Sequence, residues 1–214
     1  MNKIEEALQE LAEQLTLPCD MIKIHRQDES QGRSKEYQSL RYGAFLLTYG
    51  PFENFFENIT GYRKKKNRTL SIEPDRIRDA IHREYGVSNV TASWSARTRT
   101  GGGPTWSRDP WILLTGSQLN IYLRDLASLR NLLSHGGNPK KMSNKSKLFP
   151  TTKNGPSIHI TAVEGFIQAT QDIASETAIS ISGEFTNIPS WPEPPRTTAR
   201  KLIPAPYVKS TLTG

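Results

Sequence analysis

The sequence predicts an all-α fold: a bundle of about five helices, with one non-helical insertion and an extended C-terminal tail. Three observations carry that prediction. Most core-forming apolar residues recur at three- and four-residue steps, the period of a helix with one buried stripe. The stretch from Val87 to Pro110 lacks this period. Beyond Gly183 the chain is crowded with prolines, which a helix interior rejects. The chain then divides into residues 1–183, a helical domain with 87–110 as a loop or hairpin insertion, and 184–214, a proline-rich basic tail.

The first helix spans about Asn2 to Leu15, with Ile4, Leu8, Leu11 and Leu15 on one side, and Pro18 ends it. Met21 to Lys35 is polar and reads as a loop. Glu36 to about Thr60 is a second helix, whose Tyr42, Phe45, Leu46, Tyr49, Phe52, Phe56 and Ile59 form a broad aromatic face. Gly50-Pro51 predicts a kink there, or two consecutive helices. With helical phase carried through, Glu53 falls on the face of Leu46 and Tyr49. The basic run Arg63-Lys64-Lys65-Lys66-Asn67-Arg68 reads either as solvated loop or as a phosphate-contacting patch. Pro74 to Tyr85 is a short helix ended by Gly86.

Within the insertion, Val90–Trp94 reads as a short strand in a hairpin. Arg97, Arg99 and Arg108, interleaved with Trp94 and Trp106, either grip a single strand of nucleic acid by charge and stacking or pack as loop. Gly101-Gly102-Gly103-Pro104 lacks the spacing of a phosphate-binding loop. Asp109-Pro110 is a helix-start signature, with Thr115 and Ser117 as alternative caps if Trp111–Leu114 is a separate segment. The helix that follows carries Leu119, Tyr122, Leu123, Leu126, Leu129 and Leu133 on one stripe.

Arg130 projects into the middle of that stripe, and a guanidinium on an apolar face must meet a carboxylate, a phosphate or water. Glu53 is a charge of opposite sign embedded in a second apolar stripe. The simplest arrangement has the two facing each other; the alternative has Glu53 reaching solvent from the helix edge at the kink. His135 falls at the last helical turn, and Gly136-Gly137 suit a helix C-terminus. Gly136 to Ser157 is a connection holding Lys140, Lys141, Lys145 and Lys147, the basic segment most expected to touch substrate phosphates. Thr161 to about Ile179 is the last helix, with Val163, Phe166, Ile167, Thr170 and Ile173 on its apolar face.

Charge narrows the function. The net charge is +7, but residues 1–60 carry 6 Lys/Arg against 10 Asp/Glu and the remainder 22 against 11. That asymmetry favours a polyanionic partner, nucleic acid being the commonest. One cysteine, Cys19, excludes an intramolecular disulfide and any multi-cysteine zinc site. The four histidines show no ligand spacing, so neither a metal nor another cofactor is expected. There is no GxSxG elbow and no paired-carboxylate arrangement. No secretory leader opens the chain and its apolar runs are too short for a bilayer, which leads to the expectation of a cytoplasmic protein without a membrane partner. What remains is Arg130 with His135. An imidazole moves a proton near neutrality, and a guanidinium meets charge building on a phosphorus centre. That is the minimal equipment for metal-free RNA cleavage by 2′-hydroxyl attack.

The run Arg130-Asn131-Leu132-Leu133-Ser134-His135-Gly136 resembles the RNxxxHG form of the R-x4-6-H motif of the HEPN superfamily, and the chain is similar to RiboL-PSP-HEPN-type domains. Phe52-Glu53-Asn54-Phe55-Phe56 is similar to the "small-x-x-Phe-Glu" helix near the start of many HEPN domains. The resemblance covers about residues 36–182, perhaps two-thirds of the chain, and leaves the insertion and tail aside. It implies a metal-independent endoribonuclease acting as a homodimer with a composite cleft, often a toxin or phage-defence effector with an antitoxin or regulatory partner. It also implies the roles. Arg130 and His135 would be catalytic, Asn131 would orient or polarise the site, and Glu53 would hold Arg130. Lys140, Lys141, Arg63, Lys64 and Lys65 are the residues expected to bind substrate. HEPN domains that only bind nucleic acid or a protein partner exist, and that non-catalytic module is the alternative.

Overall fold

The computed structural model describes residues 2–27, 37–62, 70–99, 111–183 and 187–194. These residues are mostly helical, with two small two-stranded sheets. Helix α1, Lys3–Gln14, opens on a reciprocal cap: the Asn2 side chain accepts from the Ile4 and Glu5 N–H groups, and Glu5 accepts from the Asn2 N–H. The chain then departs from the sequence reading. Pro18 does not end a helix; it lies in the first turn of α2, Thr16–Gln27, where a missing N–H breaks no helical bond. Much of the expected loop from Met21 is therefore helix, and the described residues alone hold six helices longer than one turn where about five were expected.

Helix α3, Gln38–Thr60, runs unbroken through Gly50-Pro51 and ends at Gly61, whose φ of 62° is left-handed. Helix α4 spans Pro74–Tyr85, as the sequence predicts, and Gly86 caps it. The insertion does hold a hairpin, but further along. Val90–Ser93 is a single helical turn, and strand β1, Ser95–Arg99, pairs antiparallel with β2, Trp111–Thr115, with Arg97 opposite Leu113. Because β2 takes the residues after Asp109-Pro110, helix α5 starts only at Gly116 and runs to Ser134. Helix α6 spans Ile160–Ser182, and a two-residue hairpin, β3 Thr151–Thr152 with β4 Gly155–Pro156, lies in the connection before it.

The axis of the molecule is α6. Every residue from Ala162 to Ala178 is buried, with α1, α2, α3 and β1 packed around them. A helix enclosed on all sides should be apolar all round, yet Glu164, Gln168, Asp172 and Glu176 make a polar stripe along it. Strand β1 satisfies that stripe at alternate positions, as the two-residue period of a strand requires. The Ser95 N–H and hydroxyl donate to Glu176. Arg97 reaches Asp172 through Nε at 2.8 Å, Nη2 at 2.6 Å and its own backbone N–H at 2.8 Å. Arg99 and Arg26 both bond Oε2 of Glu164. Gly165 allows the close approach: a Cβ there would overlap the Arg99 backbone and lie 2.7 Å from Thr98 Oγ1.

Of the two readings left open for the insertion, the described residues follow packing rather than a single-strand grip. Trp94, Arg97 and Arg99 are buried and hydrogen-bonded inside the bundle, while Trp106 and Arg108 lie outside the described residues. The described start of the tail is extended and docked. Asn187 donates to Glu5, Trp191 Nε1 donates to Ser175 Oγ at 3.1 Å, and Gln171 donates to the Pro192 carbonyl at 2.8 Å. Among the described residues no helix is long and apolar enough to cross a membrane.

Burial raises the Glu176 carboxyl to about 7, against the opposing pull of the two Ser95 donors. A native pKa above the ordinary 4.5 means that between those values the folded chain holds a proton the unfolded chain has shed. This contribution to stability is therefore complete at acid pH and is lost as pH rises through about 7. The Glu176→Gln variant, neutral at every pH, is expected to show a flatter fall of urea midpoint across that interval than the wild-type chain. Identical slopes would contradict the assignment.

Candidate active site

The site forms where the C-terminal end of α5 meets α3. Two glycines stop α5 cleanly. The Gly137 N–H donates to the Leu132 carbonyl at 2.7 Å, the Gly136 N–H turns back to Leu133, and Gly136 takes the left-handed φ of 66° that such a cap needs. His135 is thereby the C-cap residue just past the helix end at Ser134, and it is exposed rather than packed.

Arg130 faces Glu53. Its Nη2 donates to Glu53 Oε2 at 3.0 Å, Nη1 donates to Asn131 Oδ1 at 3.3 Å, and the guanidinium lies 5.7 Å from the centre of the Tyr49 ring. Glu53 and Tyr49 are one turn apart on α3, so the unbroken helix through Pro51 sets both contacts. The Glu53 side chain is 10% exposed and that of Arg130 28%, which rules out a carboxylate reaching into solvent. Burial holds the Glu53 carboxyl above the ordinary range, and the neighbouring Arg130 cation pulls it back. The arginine is thus fixed by a carboxylate, a ring face and an amide, an arrangement a lysine could not adopt.

Asn131 joins this cluster to an open groove of about 740 Å³ along α5, which His135 and Lys141 also line. Lys141 is placed there by a 3-10 turn, Pro139–Lys141, whose cap is Asn138 accepting from the Lys140 N–H at 3.0 Å. Lys140 is exposed on the same turn but does not line the groove. Arg63, Lys64 and Lys65 lie outside the described residues. The chain just after them is tied down: the Leu70 N–H donates to Glu57 Oε1 at 2.8 Å, one turn from Glu53, and Ile72 hydrogen-bonds the Tyr49 hydroxyl through its backbone.

Asp125 fastens the connection that follows α5, outside the groove itself. This carboxylate is fully buried on α5 and accepts from the Ser143 hydroxyl, from the Lys145 N–H at 3.2 Å and from the Ser146 N–H at 2.8 Å. Ser128 adds a bond from the Ser143 N–H at 3.0 Å. The lysine-rich connection is therefore fastened to the same helix that carries Arg130 and His135. Sequence reasoning missed Asp125, although it carried the signal that exposed Arg130: a charge inside an apolar stripe, between Tyr122 and Leu129.

Compared with known protein families, with curated proteins and with solved structures, the chain matches none.

Chemically, the site offers an amide, an ammonium and an exposed imidazole along an open groove, with the Arg130 guanidinium bonded to that amide but not itself lining the groove. That set suits a phosphodiester: cations for its non-bridging oxygens and a group able to move a proton beside them.

Proposed function

We propose that this chain is a metal-independent endoribonuclease of the HEPN type. The observation that carries the reading is the Glu53–Arg130–Asn131 hydrogen-bonded chain, which holds a guanidinium one turn from the helix end and ties it, through Asn131, to the groove that exposed His135 and Lys141 line. In the proposed reaction the ribose 2′-oxygen attacks the adjacent phosphorus as His135 takes its proton. The bond from phosphorus to the 5′-oxygen breaks, and that oxygen leaves with a proton from an imidazolium. Arg130 meets the charge gathering on the non-bridging oxygens. A homodimer suits this sequence of proton transfers, since a second copy of His135 would donate while the first accepts. The biological role that follows is an RNA-directed toxin or phage-defence effector, restrained by an antitoxin or other regulatory protein.

The deciding experiment is cleavage of a synthetic RNA by the purified chain in excess EDTA, with the product ends read by mass. Cleavage that survives chelation and leaves 2′,3′-cyclic phosphates is the expected result. RNA that is bound but left intact would overturn the proposal in favour of a non-catalytic binding module.

A further inference from the structure

We propose that the groove along α5 is a track for single-stranded RNA, with a second phosphate subsite at Arg124, remote from the bond that is cut. The inference rests on the ribonuclease reading for the identity of the polyanion, and on the groove's own geometry for the rest. Arg124, Ser128, Asn131 and His135 follow one another at steps of four, three and four, so they share one face of α5, and all four line the same groove. Eleven residues at about 1.5 Å each set Arg124 roughly 16 Å from His135 along the helix axis. Arg124 takes no part in the Glu53–Arg130–Asn131 cluster, so cleavage of one phosphodiester does not require it.

Arg124 is also available. Its side chain is 63% exposed and its ion pair with Asp75 Oδ2 is long, at 3.7 Å, with Asp75 equally open to water. Such a pair contributes little, so the guanidinium can exchange it for a phosphate at small cost. Asp75 is not left alone by the exchange, because Arg78 Nη1 holds its other oxygen at 3.0 Å. The groove's own carboxylate, Glu73, is likewise neutralised by Arg76 at 3.1 Å. The groove thus has a cation at each end: Lys141 beside His135, and Arg124 at the other.

The spacing states a length requirement. Stacked nucleotides advance about 3.4 Å each, so a strand must extend roughly five nucleotides to engage both ends. A single strand fits the chemistry as well. An A-form duplex keeps the 2′-oxygen out of line with the leaving 5′-oxygen, whereas a strand laid along an open groove can turn its backbone at the scissile bond.

The test separates the subsite from the reaction. Binding of a uridine decamer is measured over a range of salt concentrations in the His135→Ala background, with and without Arg124→Ala. Lys23→Ala, an exposed lysine on α2, serves as the charge-matched control. Arg124→Ala is expected to weaken decamer binding about fivefold and to lower the salt slope by about 0.7, the loss of one phosphate contact on a single strand. Lys23→Ala should change neither. With His135 restored, Arg124→Ala should slow cleavage of the decamer at sub-saturating concentration but leave cleavage of a uridine dinucleotide unchanged. An unaltered salt slope, or equal losses on both substrates, would overturn the subsite. If the unsubstituted chain cuts neither substrate while decamer binding still depends on Arg124, the subsite stands and the ribonuclease reading falls.

Discussion

The His135→Ala variant is expected to cleave RNA about 10²–10⁴-fold more slowly than the wild-type chain, with little change in RNA affinity. Its side chain is exposed at a helix end, so alanine removes a proton-transfer group without disturbing packing. Arg130→Ala should behave differently, because Arg130 has two roles. It too should lose rate, but it also strips a largely buried carboxylate of its counterion, and Glu53 must then take up a proton or lose its place. Stability should fall in Arg130→Ala, and the Arg130→Ala, Glu53→Gln double variant should recover part of that loss while remaining inactive. Single-turnover cleavage and urea unfolding of the wild-type chain, Arg130→Ala, Glu53→Gln and the double variant close the cycle. Recovery of cleavage in the double variant would show that Arg130 acts only by neutralising Glu53.

The largest loss of stability should come from the body of the protein. Arg97→Ala is expected to cost about 3–5 kcal/mol, because it leaves the Asp172 carboxylate buried with only Gln168 to donate to it from a side chain. The side chains of both ion-pair partners are almost fully withdrawn from water, at 5% and 0% exposure. The paired change Arg97→Met, Asp172→Leu should be far milder than either single change, since two apolar side chains carry no desolvation penalty. Chemical denaturation of the three variants measures this directly. A single-variant loss below about 1 kcal/mol would mean that water reaches Asp172 when the arginine is removed.

Legibility of the sequence depended on what each residue faces. Helices α1, α3, α4, α5 and α6 announce themselves because leucine, isoleucine and aromatic residues repeat at helical steps. Helix α2 does not, since its buried stripe is Pro18, Cys19, Ile22 and His25, two of which read as breaker or polar. The arginines of β1 look solvent-bound for a different reason. Their carboxylate partners lie 65 and 75 residues away on α6, and no local pattern reports a contact across that distance. For the same reason only half of α6 is legible: its polar stripe resembles an exposed face until β1 is laid against it. At the candidate site, Arg130 and Glu53 are readable because each is a charge within an apolar run. Lys141 cannot be told from Lys140 in the sequence, because a single 3-10 turn decides which of them lines the groove.

The enclosure of α6 has a consequence for how the chain is made. A ribosome releases α1 to α5 and β1 before it releases the helix they surround. Until residues 160–182 emerge, Arg97 and Arg99 lack the Asp172 and Glu164 carboxylates, and α1, α2 and α3, which also pack on one another, lack the helix they enclose. The ion pairs that join β1 to α6 can therefore form only after α6 itself has been made. A nascent chain stopped short of residue 160 already carries Glu53, Arg130 and His135, but it lacks the helix on which both α3 and β1 pack.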